Sequence, residues 1–110
     1  MKEKYLQEQV CNYLRMKGHY FYSIPNGFWN GITNKVKKFA YINSLKRQGL
    51  LVGVADIEIK MDDGTTVYFE LKVEKNKQSE HQKLFQENVE IRNNAYYIIR
   101  SLDDVIKLGF

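Results

Sequence analysis

The sequence predicts an α/β fold, a mixed four-stranded sheet flanked by helices, with elements in the order α-β-α-β-β-α-β-α. Three observations lead there. Apolar residues recur at helical spacing in residues 3–17 and again beyond Ser79. Residues 54–61 and 65–73 alternate strictly between apolar and polar, with Asp62-Asp63-Gly64 between them as a hairpin turn. "AYYIIR", at 95–100, is an apolar run that reads as a fully buried type of strand after a helical segment.

With 110 residues the chain makes one domain, 1–110, large enough for a real core. Hydrophobic residues at 44% and charged residues at 27% are ordinary globular values, and no apolar run approaches the roughly 18 residues of a membrane span. "MKEKYLQEQV" lacks the apolar stretch of a signal peptide, and Cys11, the single cysteine, has no disulfide partner within the chain. The expected setting is therefore the reducing cytoplasm. One cysteine and two separated histidines, His19 and His81, exclude a Cys/His zinc cage and leave Cys-His catalysis unsupported. Any metal must be held by oxygen.

Taken in order, residues 3–17 form a helix with Leu6, Val10, Tyr13 and Leu14 on one stripe and Gly18 as its C-terminal cap. "HYFYSIP" is a strand ended by Pro25 and the turn pair Asn26-Gly27. A Gly/Asn-rich loop containing Phe28 and Trp29 leads to a helix over about 34–48, with Val36, Phe39, Ala40 and Asn43 at helical spacing and Gly49 closing it. "GLLVGV" enters the hairpin. Ser79 caps the third helix, with Gln82 reaching back to it, and that helix buries Leu84, Phe85 and Val89 before stopping at Asn93-Asn94. Ser101 and Asp104 cap a short last helix through Leu108.

The hairpin register decides the chemistry. If Asp62-Asp63-Gly64 is a three-residue loop, Met61 faces Thr65, and outward from there Asp56 faces Glu70, with Cβ atoms about 5 Å apart on one face. A two-residue loop shifts the register by one and sends the two acids to opposite faces. Converging carboxylates repel, so a proton, a basic neighbour or a cation must neutralise them. Asp56, Glu70 and a main-chain carbonyl such as that of Leu71 form a hard oxygen set suited to Mg²⁺ or Mn²⁺. Lys72, on the same face, is placed to position or deprotonate a water, or to stabilise charge on a phosphate. Glu58 and Lys60 share that face nearer the hairpin tip, where no second acid meets them, and are expected to be a solvated pair.

The net charge of +4 is unevenly spread: no acid occurs from Gly18 to Ala55, whereas Lys35, Lys37, Lys38, Lys46 and Arg47 lie within that stretch. That distribution suits a polyanion. Lys46 and Arg47 also suit a helix C-terminus without any partner.

Gly53-Val54-Ala55-Asp56, a hairpin, Glu70-Leu71-Lys72, Ser79-x-x-Gln82 opening a helix, and a strand leading into Arg100-Ser101-Leu102-Asp103-Asp104 together resemble the VRR-NUC nuclease domain of the PD-(D/E)XK superfamily. "SIPNG" and "LKRQGLLVG" also fit, and the similarity spans nearly the whole chain. The resemblance implies a restriction-endonuclease-like core and a metal-dependent DNA endonuclease, selective for branched DNA such as four-way junctions and working as a homodimer. In that scheme Asp56, Glu70 and the Leu71 carbonyl bind metal, Lys72 is catalytic, and Gln82 contacts the scissile phosphate or a metal water besides capping its helix. Ala55 departs from the pattern, standing where the superfamily often has proline. Of the first-helix acids, Glu3 falls on the side of Leu6, Val10 and Leu14, and Glu8 points nearly opposite, so Glu3 is the expected additional ligand. His81 is expected at the surface and Cys11 in the packing, and Phe28 and Trp29 either stack on exposed bases or pack against the sheet. The alternatives are a non-catalytic module recognising DNA shape through its basic residues, and a nuclease acting on flaps, nicked duplex or RNA.

Overall fold

The computed structural model describes residues 1–110. Its elements are α1 (Glu3–Met16), β1 (Tyr20–Ser23), a 3₁₀ turn (Phe28–Gly31), α2 (Lys35–Arg47), β2 (Ile57–Lys60), β3 (Thr66–Leu71), α3 (Glu80–Glu90), β4 (Ala95–Ile99) and α4 (Leu102–Lys107). This is the expected α/β order, with the 3₁₀ turn added inside the loop after β1. The four strands lie side by side in chain order; β1, β2 and β3 are antiparallel, and β4 joins β3 in parallel after crossing through α3.

Helix ends follow from local chemistry. Gly18 (φ 78°) closes α1: its N–H donates to the Arg15 carbonyl while the His19 N–H reaches back to Leu14, which satisfies two otherwise orphaned carbonyls. The same pattern recurs at Gly49 after α2 and at Asn93 (φ 66°) after α3.

In the hairpin, the Met61 N–H donates to Thr65, the Gly64 N–H donates back to Met61, and Gly64 adopts φ 90°. This is the three-residue loop, and the ladder that follows pairs Lys60 with Thr66 and Ile57 with Phe69. Because side chains alternate along a strand, odd-numbered residues of the hairpin go to one face and even-numbered ones to the other.

The odd face carries the main core. Leu6, Val10, Cys11 and Leu14 of α1 and Val105 of α4 pack on Ile57, Ile59, Val67, Phe69, Leu71 and Ile99. Tyr13 donates a 2.6 Å hydrogen bond to the Phe110 carbonyl, and the Phe110 ring meets Phe69 edge-on. On the even face α3 covers Tyr96, Tyr68 and Ile98 with Val89 and Phe85. Helices therefore flank both sides of the sheet.

Three expectations about burial are corrected. Val36 is 79% and Phe39 70% exposed, and Ala40 is exposed with them, so the apolar part of the stripe chosen by spacing faces away from the protein, while Asn43, its fourth member, is half-buried. The side of α2 that approaches the rest of the chain carries Lys38, Ile42 and Leu45 instead. Leu84 is also exposed, because α3 meets the sheet through Phe85 and Val89 and stands clear of it at Leu84. Finally, β4 is half-buried, with Tyr96 and Ile99 enclosed and its other residues partly open, since it is an edge strand.

Candidate active site

Asp56 enters the site one residue before β2. Its backbone carbonyl accepts the Ile24 N–H at 2.9 Å, which ties it to the end of β1, and its Oδ2 accepts the Leu71 N–H at 2.7 Å, which ties it to the end of β3. Glu70 stands across from it, on the even face and 1% exposed. Glu70 Oε2 accepts from Gln82 Nε2 at 3.2 Å and lies 3.8 Å from Lys72 Nζ. Its other oxygen, Oε1, is buried without a hydrogen-bond donor. Glu3, in the first turn of α1, completes the group: carboxylate oxygens of Glu3, Asp56 and Glu70 all lie within 4.8 Å of one another.

Burial, above all, and then the facing Asp56 carboxyl, by its charge and as an acceptor for the Glu70 proton, push Glu70 up to about 9; Lys72 opposes the shift. Glu3 is raised for the same reasons, burial first and Asp56 second, with Lys72 again opposing. The protein thus holds more carboxylate in one place than its single neighbouring ammonium neutralises. An oxygen-preferring divalent cation matches this donor set: three converging carboxylates, one of them with a buried and unpartnered oxygen.

Gln82 has two duties. Its side-chain carbonyl accepts the Ser79 N–H at 2.9 Å while Ser79 Oγ accepts the Gln82 N–H at 3.2 Å, a reciprocal cap at the start of α3. With its oxygen so engaged, its amide nitrogen is turned toward Glu70.

These residues line a cleft of about 320 Å³ together with Asn26, Gly27, Asn30, Val52, Gly53 and Ser79. Gly53 (φ 94°) lets the chain before β2 touch the first turn of α3; a Cβ there meets the backbone of His81 at 2.5 Å. Asn26 Nδ2 donates to the Val54 carbonyl at 3.1 Å, fixing the same segment from the other side. Asn26 and Asn30 are the cleft residues that sequence reasoning missed. The Asn26-Gly27 pair signalled a turn, and nothing in the local pattern said that this turn folds over the acids.

Elsewhere the placements are mixed. Lys35, Lys37, Lys38, Lys46 and Arg47 all lie on α2 and take part in no ion pair, but they do not share one face: Lys35, Lys38 and Lys46 fall together on the helix, with Lys37 and Arg47 turned away. Glu58 and Lys60 pair at 3.0 Å, with Lys60 also donating to Thr66 and the Tyr68 hydroxyl to Glu58, apart from the cleft. His81 is exposed and Cys11 buried. Phe28 and Trp29 divide: Trp29 is 8% and Phe28 52% exposed.

The fold so positioned is that of VRR_NUC domains. A solved "VRR_NUC domain protein" superposes with a TM-score of 0.75 at 16% identity, covering 98% of this chain and 84% of its own. A second solved chain, a "VRR_NUC domain", gives a TM-score of 0.68 at 16% identity over 98% of this chain and 97% of its own. No family model matches the sequence, and no curated protein does. No helix is long and apolar enough to cross a membrane.

Proposed function

We propose that the chain is a Mg²⁺- or Mn²⁺-dependent DNA endonuclease of the PD-(D/E)XK type, in which Glu3, Asp56, Glu70 and the Leu71 main-chain carbonyl hold the cation. The observation that carries this is the unpartnered Glu70 oxygen within a cluster of three carboxylates beside a lysine, inside a fold shared with VRR_NUC domains. A divalent cation bound there supplies neutralising charge and Lewis acidity at a phosphodiester. Lys72 stabilises charge growing on the scissile phosphate or orients the attacking water, its ammonium held near the acids by Glu70. Gln82 fixes the Glu70 carboxylate and offers its amide to the phosphate or to water. Lys35, Lys38 and Lys46, which share one side of α2 and take part in no ion pair, supply the backbone contacts that bring DNA to the cleft.

Branched DNA is the favoured substrate and a two-fold homodimer the favoured assembly. One 110-residue domain spans too little DNA to cut two strands symmetrically. The outward face of α2, with Val36, Phe39 and Ala40 in solvent, supports a second copy as its cover. The resemblance to stand-alone VRR-NUC domains, which implies a bacterial or phage origin, supports the cytoplasm of a bacterial or phage-infected cell as the setting.

Incubation of the purified protein with four-way, flapped, single-stranded and linear DNA tests this. Cleavage is expected with Mn²⁺ and not with EDTA, strongest on the branched substrate. Asp56→Ala and Lys72→Ala are expected to abolish cleavage while DNA binding persists. Binding that ignores metal, with no cleavage under any condition, leaves a shape-recognising module instead; RNA cleavage under the same conditions transfers the assignment to the other nucleic acid.

A further inference from the structure

We infer that Phe28 is a stacking site for an unpaired nucleobase at the rim of the cleft, and that it supplies selectivity for DNA whose bases are not all paired next to the cut. The inference rests on the nuclease assignment and adds to it a residue that touches bases, whereas Glu3, Asp56, Glu70, Lys72 and Gln82 serve metal, water or phosphate.

Phe28 opens the 3₁₀ turn, and the residues around it, Asn26, Gly27 and Asn30, line the cleft. Gly27 turns the backbone at φ 74° immediately before it. The ring belongs to neither hydrophobic core, and about half of it is open to solvent. An exposed aromatic on a loop is ordinarily mobile. This one is braced edge-on by two rings, Trp29 at 5.1 Å and Tyr41 of α2 at 6.1 Å, and Trp29 is itself buried. A side chain with two torsions, already held, loses little freedom when a base settles on it.

The surroundings select the partner. Phe28 and Tyr41 lie in the stretch from Gly18 to Ala55 that contains no acid. Lys38 stands one turn before Tyr41 on the same side of α2, so an aromatic surface and a phosphate-seeking cation adjoin each other beside the turn whose Asn26, Gly27 and Asn30 line the cleft. A protein partner's apolar side chain has no use for that cation, whereas a nucleotide uses both. A base inside an intact duplex already has stacking neighbours; one at a branch point or flap end offers a free π-face, and its adjacent phosphate is in reach of the cleft.

The test uses Asp56→Asn protein, which holds DNA uncut, and flapped or branched DNA carrying 2-aminopurine as the unpaired base at the branch. Binding is expected to quench the fluorophore. Adding Phe28→Trp preserves the quench, whereas adding Phe28→Ala or Phe28→Leu removes it and weakens binding to branched DNA about tenfold, with affinity for fully paired duplex unchanged. The leucine variant keeps an apolar side chain against Trp29 and Tyr41, so a result confined to alanine marks a packing role and overturns the inference. Full quenching and unchanged affinity in both variants also overturns it while leaving cleavage by the unmodified chain intact. A failure of the unmodified chain to bind any DNA removes the nuclease assignment and this site with it.

Discussion

Glu70 carries an energetic conflict that a substitution can expose. Its carboxyl is enclosed, faces Asp56, and has an oxygen with no donor, so the folded state favours the proton far above the ordinary carboxylate range. A carboxyl whose folded pKa lies above its unfolded value contributes stability below the unfolded value and loses it as pH rises toward the folded one. Without metal, stability should therefore fall from about pH 4.5 toward about 9. Glu70→Gln removes the titration and keeps the contact with Gln82, so its melting temperature in EDTA should stay flatter over that range and exceed the wild type's at the alkaline end. The same variant should lose cleavage. Added Mn²⁺ should raise the melting temperature of the wild type more than that of Glu70→Gln; thermal melts across pH, with EDTA and with Mn²⁺, check both statements. Gly53 makes a purely steric case. Its φ of 94° and the 2.5 Å approach of a Cβ to His81 mean that Gly53→Ala should cost about 2 kcal/mol or more in urea denaturation.

Among the elements, α3 begins with a cap that also serves the site. Ser79→Ala removes one half of the reciprocal bond and should lower stability by about 1 kcal/mol. Because Gln82 is aimed at Glu70 partly by that cap, the same variant should slow cleavage more than its stability loss explains, measured by assaying at a temperature where it is fully folded. How much of this was legible follows from the range of the interactions. The Gly18, Gly49 and Asn93 stops and the Ser79 cap are set within a few residues, and the sequence spelled them out; hairpin parity was open between two loop lengths, and the Met61–Thr65 pairing of the folded chain decides for the odd one. The meeting of Asp56 with Glu70 followed from the same parity, and the wheel placed Glu3 on the side of α1 that leads to them. α2 was misjudged because Val36, Phe39 and Ala40 are spaced like a core stripe, and spacing says nothing about whether a core lies on that side. Leu84 failed for the same reason. Asn26 and Asn30 join the cleft through a long-range fold of the chain, which no local pattern encodes.

For the molecule as a whole, the main core and the site share the sheet: the odd face is sealed by α1 and α4, Asp56 and Glu70 stand near strand ends on the even face, and Glu3 joins them from the first turn of α1. The outward side of α2 is left without a cover. For the two-fold assembly proposed above, Phe39→Asp should leave a monomer by light scattering with circular dichroism unchanged, since a 70% exposed side chain supports nothing inside its own chain. Arg100 closes a longer circuit. Its guanidinium holds the carbonyls of Glu74 and Asn76, just past Lys72, and its own N–H is held by Asp104 of α4. α4 in turn packs on α1, the helix that begins with Glu3. The chain's closing turn is thereby braced against two opposite shores of the reaction centre at once, so selection for impaired nucleases should recover lesions in α4 that lie remote from every acid yet misalign both banks together.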